Sequence, residues 1–366
     1  MGTDKPGSTA HFFRIGSLLL SGLFCSCVLS SVVVTPAIAV PPEDGPAKDL
    51  KPVPFVFWPN ERGILDLMYS PADDRFLTCG SDDRGVQVWD AKTGKLLFTI
   101  TDTEDPGHLK RPIFSSNGKT IAAMSFSGKV GLWDAKSGKR LRFFPFDPDG
   151  DGTRLFALHH CSLAVSPDGR RLAISVGEDP RKAGQPAEVG IFNPETGTRL
   201  LTLNRHRRYV LALAYSPDSR LLATASLDNT CRIWDASTGK LLRTFRGHEE
   251  SVFSLVFAPS GKWLASGDRN GVVILWDPST GKTIRTLQTH ESVVDGLAVN
   301  PQGTILVTTG RENTLVIWDV ATGRALGRCQ GDKESFDHVT ISPDGKSLLA
   351  IYGKSVVQLP LVDGAK

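Results

Sequence analysis

Residues 209–245 carry four short runs of strand-forming residues: YVLALAY (209–215), RLLATAS (220–226), TCRIW (230–234) and KLLRTF (240–245). Clusters of Gly, Asp, Asn and Pro separate them, so the stretch predicts four short strands. The inner runs are apolar with almost no alternation, which requires both faces of those strands to be covered. The same layout returns along the chain. RIWDASTGKLLRTFRGH (232–248) is echoed 42 positions later by ILWDPSTGKTIRTLQTH (274–290). Periods of roughly 20–50 residues mark solenoids, propellers and arrays.

Two markers count the repeats. A turn of the Ser-Pro-Asp-Gly kind occurs seven times: SPAD at 70, SSNG at 115, SPDG at 166, SPDS at 216, APSG at 258, NPQG at 300 and SPDG at 342. An aromatic-acid pair closes six strand runs, at Trp89-Asp90, Trp133-Asp134, Phe192-Asn193, Trp234-Asp235, Trp276-Asp277 and Trp318-Asp319. In the seventh repeat SVVQLP (355–360) stands in that slot without the pair. Four strands in each of seven units predict an all-β, seven-bladed β-propeller of four-stranded antiparallel blades. One such unit cannot bury its two faces alone, which is why the pattern repeats. Six repeats continue into a fourth strand, but the chain ends soon after the seventh. The missing strand is expected from PVPFVFW (52–58), placed beside 355–359 so that the ring closes and no edge stays open.

With these markers in place, the chain resembles the WD-repeat (β-transducin-like) propeller family over about residues 52–363. In that family a His before the first strand, a Ser or Thr in the second, an Asp in the following turn and the Trp bond together within a blade. The resemblance therefore implies a structural set from His206, Thr224, Asp228 and Trp234. It implies a second from His248, Ser266 and Trp276, with Asn270 at the acidic station. A third comes from His290, Thr308 and Trp318, with Glu312 there. Blades one to three and seven depart from this pattern.

The first 39 residues have a different character. Lys5 and Arg14 precede an apolar run from Ile15 to Val34, and Pro36-Ala37-Ile38-Ala39 follows. This reads as a signal peptide cleaved after Ala39; an uncleaved membrane anchor is the alternative. Residues 40–51 read as a flexible linker. The expected location is accordingly extracytoplasmic, secreted or periplasmic, or membrane-anchored if the leader stays. Beyond the leader lie Cys79, Cys161, Cys231 and Cys329, each in a different blade, and they are expected to be unpaired buried thiols. A balance of 42 basic against 39 acidic residues gives no reason to expect nucleic acid as a partner.

The repeat is broken at one corner. The aromatic markers are spaced 44, 59, 42, 42 and 42 residues apart. The long interval holds two insertions, 144–160 and 177–188, and strand order puts both on one face. Loops held by a rigid scaffold are where binding is expected. Within the first, Asp147, Asp149 and Asp151 have the D-x-D-x-D-G spacing of a calcium loop, and Glu178 or Asp179 could complete the shell. Leu158 stands where an EF-hand would need Glu, and a solvated acidic turn explains the run as well. No cofactor is expected apart from this calcium.

No nucleophile elbow, P-loop, H-E-x-x-H or zinc-type Cys pair occurs. The expected function is a non-catalytic interaction platform binding a protein or peptide on the face elaborated around blades two and three. Family strand order brings Tyr209, Leu211, Phe253, Val293 and Asp295 to the central opening, with Arg207 and Arg208 beside them. The alternative is an extracytoplasmic hydrolase or lactonase-like enzyme holding a metal in the axial channel. Asp66, Asp295 and Asp337, at comparable first-strand positions, would be its ligands.

Overall fold

The computed structural model describes residues 48–50, 53–57, 63–80, 85–101, 109–125, 127–146, 161–176, 187–288, 290–332 and 334–361. The leader and most of both insertions, with Asp147, Asp149 and Asp151, lie outside the described residues.

Seven antiparallel sheets follow one another along the chain. Blade four shows the plan: Val210–Tyr215, Leu221–Ser226, Cys231–Asp235 and Leu241–Phe245, hydrogen-bonded in that order. The second strands are almost wholly buried, as their unbroken apolar pattern requires. The turns repeat one chemistry. In blade four Ser216 Oγ donates to Asp218 Oδ1 at 2.6 Å, and the Leu221 amide donates to Ser216 Oγ at 2.9 Å. The same pair of bonds links Ser342, Asp344 and Ser347 in blade seven. A hydroxyl and a carboxylate thus satisfy amides that the reversal of the chain leaves open.

The core is not central. Among the described residues the buried apolar side chains fall into seven clusters, and each spans two successive blades. One of them joins Ile64, Phe76 and Trp89 of blade one to Leu349, Ile351 and Val356 of blade seven. Closure is also made in the backbone. Val53–Phe57 runs antiparallel beside the last strand, Ser355–Pro360, and is the fourth strand of blade seven.

Two features differ from expectation. Residues 48–50, read as linker, form a short strand parallel to the outer strand of blade six, Ala325–Gln330. An outer strand offers unpaired amides and carbonyls, and a nearby extended segment can take them up. The second concerns blade five, where Asp268 rather than Asn270 takes the acidic station. All four described cysteines are buried, and Cys79, Cys231 and Cys329 are free thiols. Burial pushes the Cys231 thiol up to about 12 and Cys329 up to about 11, so both stay protonated at neutral pH.

Candidate functional site at the axial channel

Among the described residues three blades carry a complete hydrogen-bonded relay. In blade four Trp234 Nε1–H donates to Thr224 Oγ1 at 3.0 Å, Thr224 donates to His206 Nε2 at 2.6 Å, and His206 Nδ1–H donates to Asp228 Oδ2 at 3.0 Å. These directions belong to a neutral His206 with its proton on the nitrogen facing the carboxylate, the form that burial of the ring favours. Blade five repeats it through Trp276, Ser266, His248 and Asp268 at 2.7, 2.6 and 2.8 Å. Here alternation along the strand puts Asp268 on the same face as Ser266, two residues away. Asn270 sits at the turn tip, with its own amide bound to Asp268 Oδ1 at 2.9 Å. Blade six uses Trp318, Thr308, His290 and Glu312. In blade one the described residues include the first link, Trp89 Nε1–H to Thr78 Oγ1 at 2.7 Å.

Burial lowers the pKa of His206 below the ordinary 6.5 and outweighs the pull of Asp228. Burial also works to raise Asp228, but the hydrogen bonds and charge of His206 overcome it and hold that carboxyl far below 3.8. Both groups therefore bind fewer protons folded than unfolded. Their stabilisation is present above the unfolded values and is lost as pH falls, first below about 6.5 for the histidine. The urea midpoint is expected to drop more for the wild type than for His206→Gln between about pH 7.5 and 5.5. Equal drops would remove His206 from the acid response.

The binding geometry lies on the axis. Six of the first strands break register just after they begin: Ile64/Asp66, Lys110/Ile113, Val210/Ala212, Val252/Ser254, Val294/Gly296 and Phe336/Val339. A bulge leaves a residue unpaired and bends the strand, so two consecutive residues can face the same side. Leu65 with Asp66, Lys110 with Arg111, Phe253 with Ser254 and Asp337 with His338 accordingly all line one channel of about 670 Å³. Charge is confined to part of its wall, where it is interspersed with Ile64, Leu65, Leu297 and Val339. Blades four and five contribute Leu211, Leu213, Phe253 and Leu255, while blades six, seven, one and two contribute the charges.

Those charges are mostly paired. Asp66 accepts from Arg111 twice, Nη1–H at 3.0 Å and the backbone amide at 3.2 Å, and from Cys79 Sγ at 3.1 Å. Burial raises Asp66, but Arg111 and then His338 outweigh it and hold the carboxyl below its usual range. Arg111 makes this clasp from a left-handed backbone, φ 53°, an arrangement costing about 1–3 kcal/mol that surrounding contacts must hold in place. Arg311 grips Asp295 with two bonds, 2.6 Å from Nε and 3.2 Å from Nη2. Lys110 donates to the Gly80 carbonyl at 2.6 Å. Asp337 accepts one bond, from Ser335 Oγ at 3.0 Å. Its burial and the nearby Asp295 raise its pKa.

Leu211, Phe253 and Asp295 thus line the channel, as do all three carboxylates of the hydrolase alternative. They do not form a metal set: Asp66 and Asp295 each spend two bonds on an arginine, and no three His, Cys, Asp or Glu residues converge for a metal among the described residues. Val293 is buried and accepts from the Arg311 amide at 3.3 Å. Arg207 and Arg208 are exposed and Tyr209 half-buried in the loop that leads into blade four. There the Arg207 amide donates to Asp228, and the Arg208 carbonyl accepts from Ser226 Oγ. Lys110, Arg111, Arg311, Ser335 and His338 had no signal in the repeat pattern.

The family described as WD domain, G-beta repeat matches residues 56–90, 197–235, 239–277 and 281–319. The chain is 28% identical over 167 residues to periodic tryptophan protein 2 of Arabidopsis thaliana, covering 46% of this chain and 17% of that protein. It is 31% identical over 167 residues to the protein LST8 homolog of Drosophila melanogaster, covering 44% and 48% respectively. It is 35% identical over 184 residues to nuclear distribution protein PAC1 of Arthroderma benhamiae, covering 45% and 37%. The chain thus spans less than half the length of these curated relatives, and none of the three carries an enzyme's name. They are intracellular, nuclear or cytoplasmic proteins, which overturns the expected extracytoplasmic location. That expectation rested on residues 1–39 alone: the basic Lys5 and Arg14, the apolar run and the Ala37-Ile38-Ala39 site.

Proposed function

From the premise that the chain is a seven-bladed WD-repeat propeller, we propose that it is a non-catalytic platform that holds a protein or peptide segment at the mouth of its axial channel. The carrying observation is the uneven wall, in which bulged first strands present an uncharged arc on blades four and five opposite an arc that mixes charges with Ile64, Leu65, Leu297 and Val339. A segment with one apolar and one polar side fits such a wall, and fixed polar groups set its orientation. The loop face adds support. Arg140–Pro145 and Leu172–Val176, which lead into the two insertions, end on the face where the first strands begin. The described residues from which both insertions leave therefore lie on that face.

Crosslinking mass spectrometry on the full chain tests this with two variants and a shortened form. Phe253→Glu puts a charge into the uncharged arc, while Ile284→Glu does so at the outer strand of blade five, where Ile284 is 52% exposed. The expected result is a partner crosslinked near the mouth, lost in Phe253→Glu and kept in Ile284→Glu. Shortening 146–154 and 178–187 to the repeat length is expected to weaken capture further. A partner held equally by both point variants would place the interface elsewhere and end the proposal.

A further inference from the structure

Resting on the reading of the channel as the binding site, we infer that it selects a cationic group carried on an apolar body: an ammonium or guanidinium set against Asp337, with the body along Leu211, Phe253 and Leu255. The argument is one of unmet charge. Each cation in the wall already has a close oxygen: Arg111 has Asp66, Arg311 has Asp295, and Lys110 has the Gly80 carbonyl. His338 lies 3.8 Å from Asp66. Asp337 alone among the channel carboxylates makes no ion pair among the described residues, and one hydroxyl is its single hydrogen-bond donor.

A carboxylate can accept about four hydrogen bonds, and a partly buried one left at one bond is poorly compensated for the water it has lost. An incoming cation supplies what is missing. An incoming anion at Arg111 or Arg311 would have to compete with the carboxylate already bound there, and at Arg311 would also meet the charge of Asp337. The site is also held still, because Thr309 Oγ1 donates to the Asp337 carbonyl from the neighbouring blade. A volume of about 670 Å³ lies within the range of small-molecule sites and exceeds what one basic side chain needs.

Such a cation could belong to a partner's Lys or Arg or to a free amine, and the titration separates the two. The full chain is titrated calorimetrically with N-acetyl-leucyl-arginine amide and with phenethylammonium, each against its neutral isostere, the citrulline peptide and phenethyl alcohol. Both cations are expected to bind at least about tenfold more tightly than their isosteres, the gain of a charge-assisted hydrogen bond. Asp337→Asn, which keeps the shape and the Ser335 contact, is expected to erase that difference. Tighter binding of the peptide identifies a partner's side chain as the source; tighter binding of the amine identifies a small molecule. Equal affinity for cations and isosteres in the wild type, which needs no variant, overturns the inference and leaves the platform standing. Partner capture indifferent to Phe253→Glu removes the platform whatever these titrations give.

Discussion

Ser266→Ala is expected to destabilise the protein by about 3 kcal/mol, a large loss for the removal of one oxygen atom. Ser266 Oγ is the middle of the blade-five relay, accepting from Trp276 Nε1 at 2.7 Å and donating to His248 Nε2 at 2.6 Å. All three residues are buried. Deleting the hydroxyl leaves an indole N–H and an imidazole nitrogen without partners where water does not reach. Each buried group left unsatisfied costs about 1–3 kcal/mol. The small cavity adds less than that. The urea midpoint measures the loss, with Ser260→Ala on an exposed turn as the control. Ser266→Thr restores the hydroxyl and reproduces blades four and six, where Thr224 and Thr308 hold this place. It is expected to recover most of the stability. A midpoint for Ser266→Ala equal to that of the control would mean that the relay does not hold the blade together.

The relay also marks the line between what could and could not be read from sequence. His206, Thr224, Asp228 and Trp234 recur at fixed spacing because backbone geometry is the same in each blade, and a fixed geometry leaves a periodic trace. Asn270 was misplaced because spacing counts residues, whereas the carboxylate is placed by which face of the strand it leaves, and that selects Asp268. The channel is less legible still. Its members come from bulges, which shift the register by a residue or two without changing repeat length, so Lys110 and Arg111 look like any loop-to-strand junction. Leu211, Phe253 and Asp295 could be found because they occupy the same station in successive repeats. Arg311 and Ser335 could not, since they reach the channel from a turn and from the residue before a strand. The strand at 48–50 has no pattern of its own, because three residues pair on backbone alone.

Gly271→Ala is expected to be the more damaging of two superficially equal glycine substitutions, with a loss of about 4 kcal/mol against about 1 for Gly303→Ala. Both glycines have left-handed backbones, φ 82° and 71°, and so share the steric cost of a Cβ in that region. What differs is what the methyl would meet. At Gly303 the nearest atom is Pro259 Cδ at 3.7 Å, an ordinary contact. At Gly271 the Cβ would stand 1.9 Å from the His290 carbonyl oxygen and 2.4 Å from its carbon. Backbone cannot swing aside as a side-chain tip can, so the segment leading into blade six has to move. That segment is anchored by the His290 amide to the Gly271 carbonyl at 3.2 Å and by Gln288 Nε2 to the Asn270 carbonyl at 3.3 Å. It also carries the imidazole that bonds Thr308 at 2.9 Å and Glu312. One methyl group at the turn of blade five is therefore expected to disturb the relay of blade six. Urea midpoints of the two variants measure the difference, and amide exchange at Thr308 and Trp318 locates it. Matching losses, or unchanged exchange in blade six, would show that the clash relaxes within the turn and that the relay does not depend on this close approach.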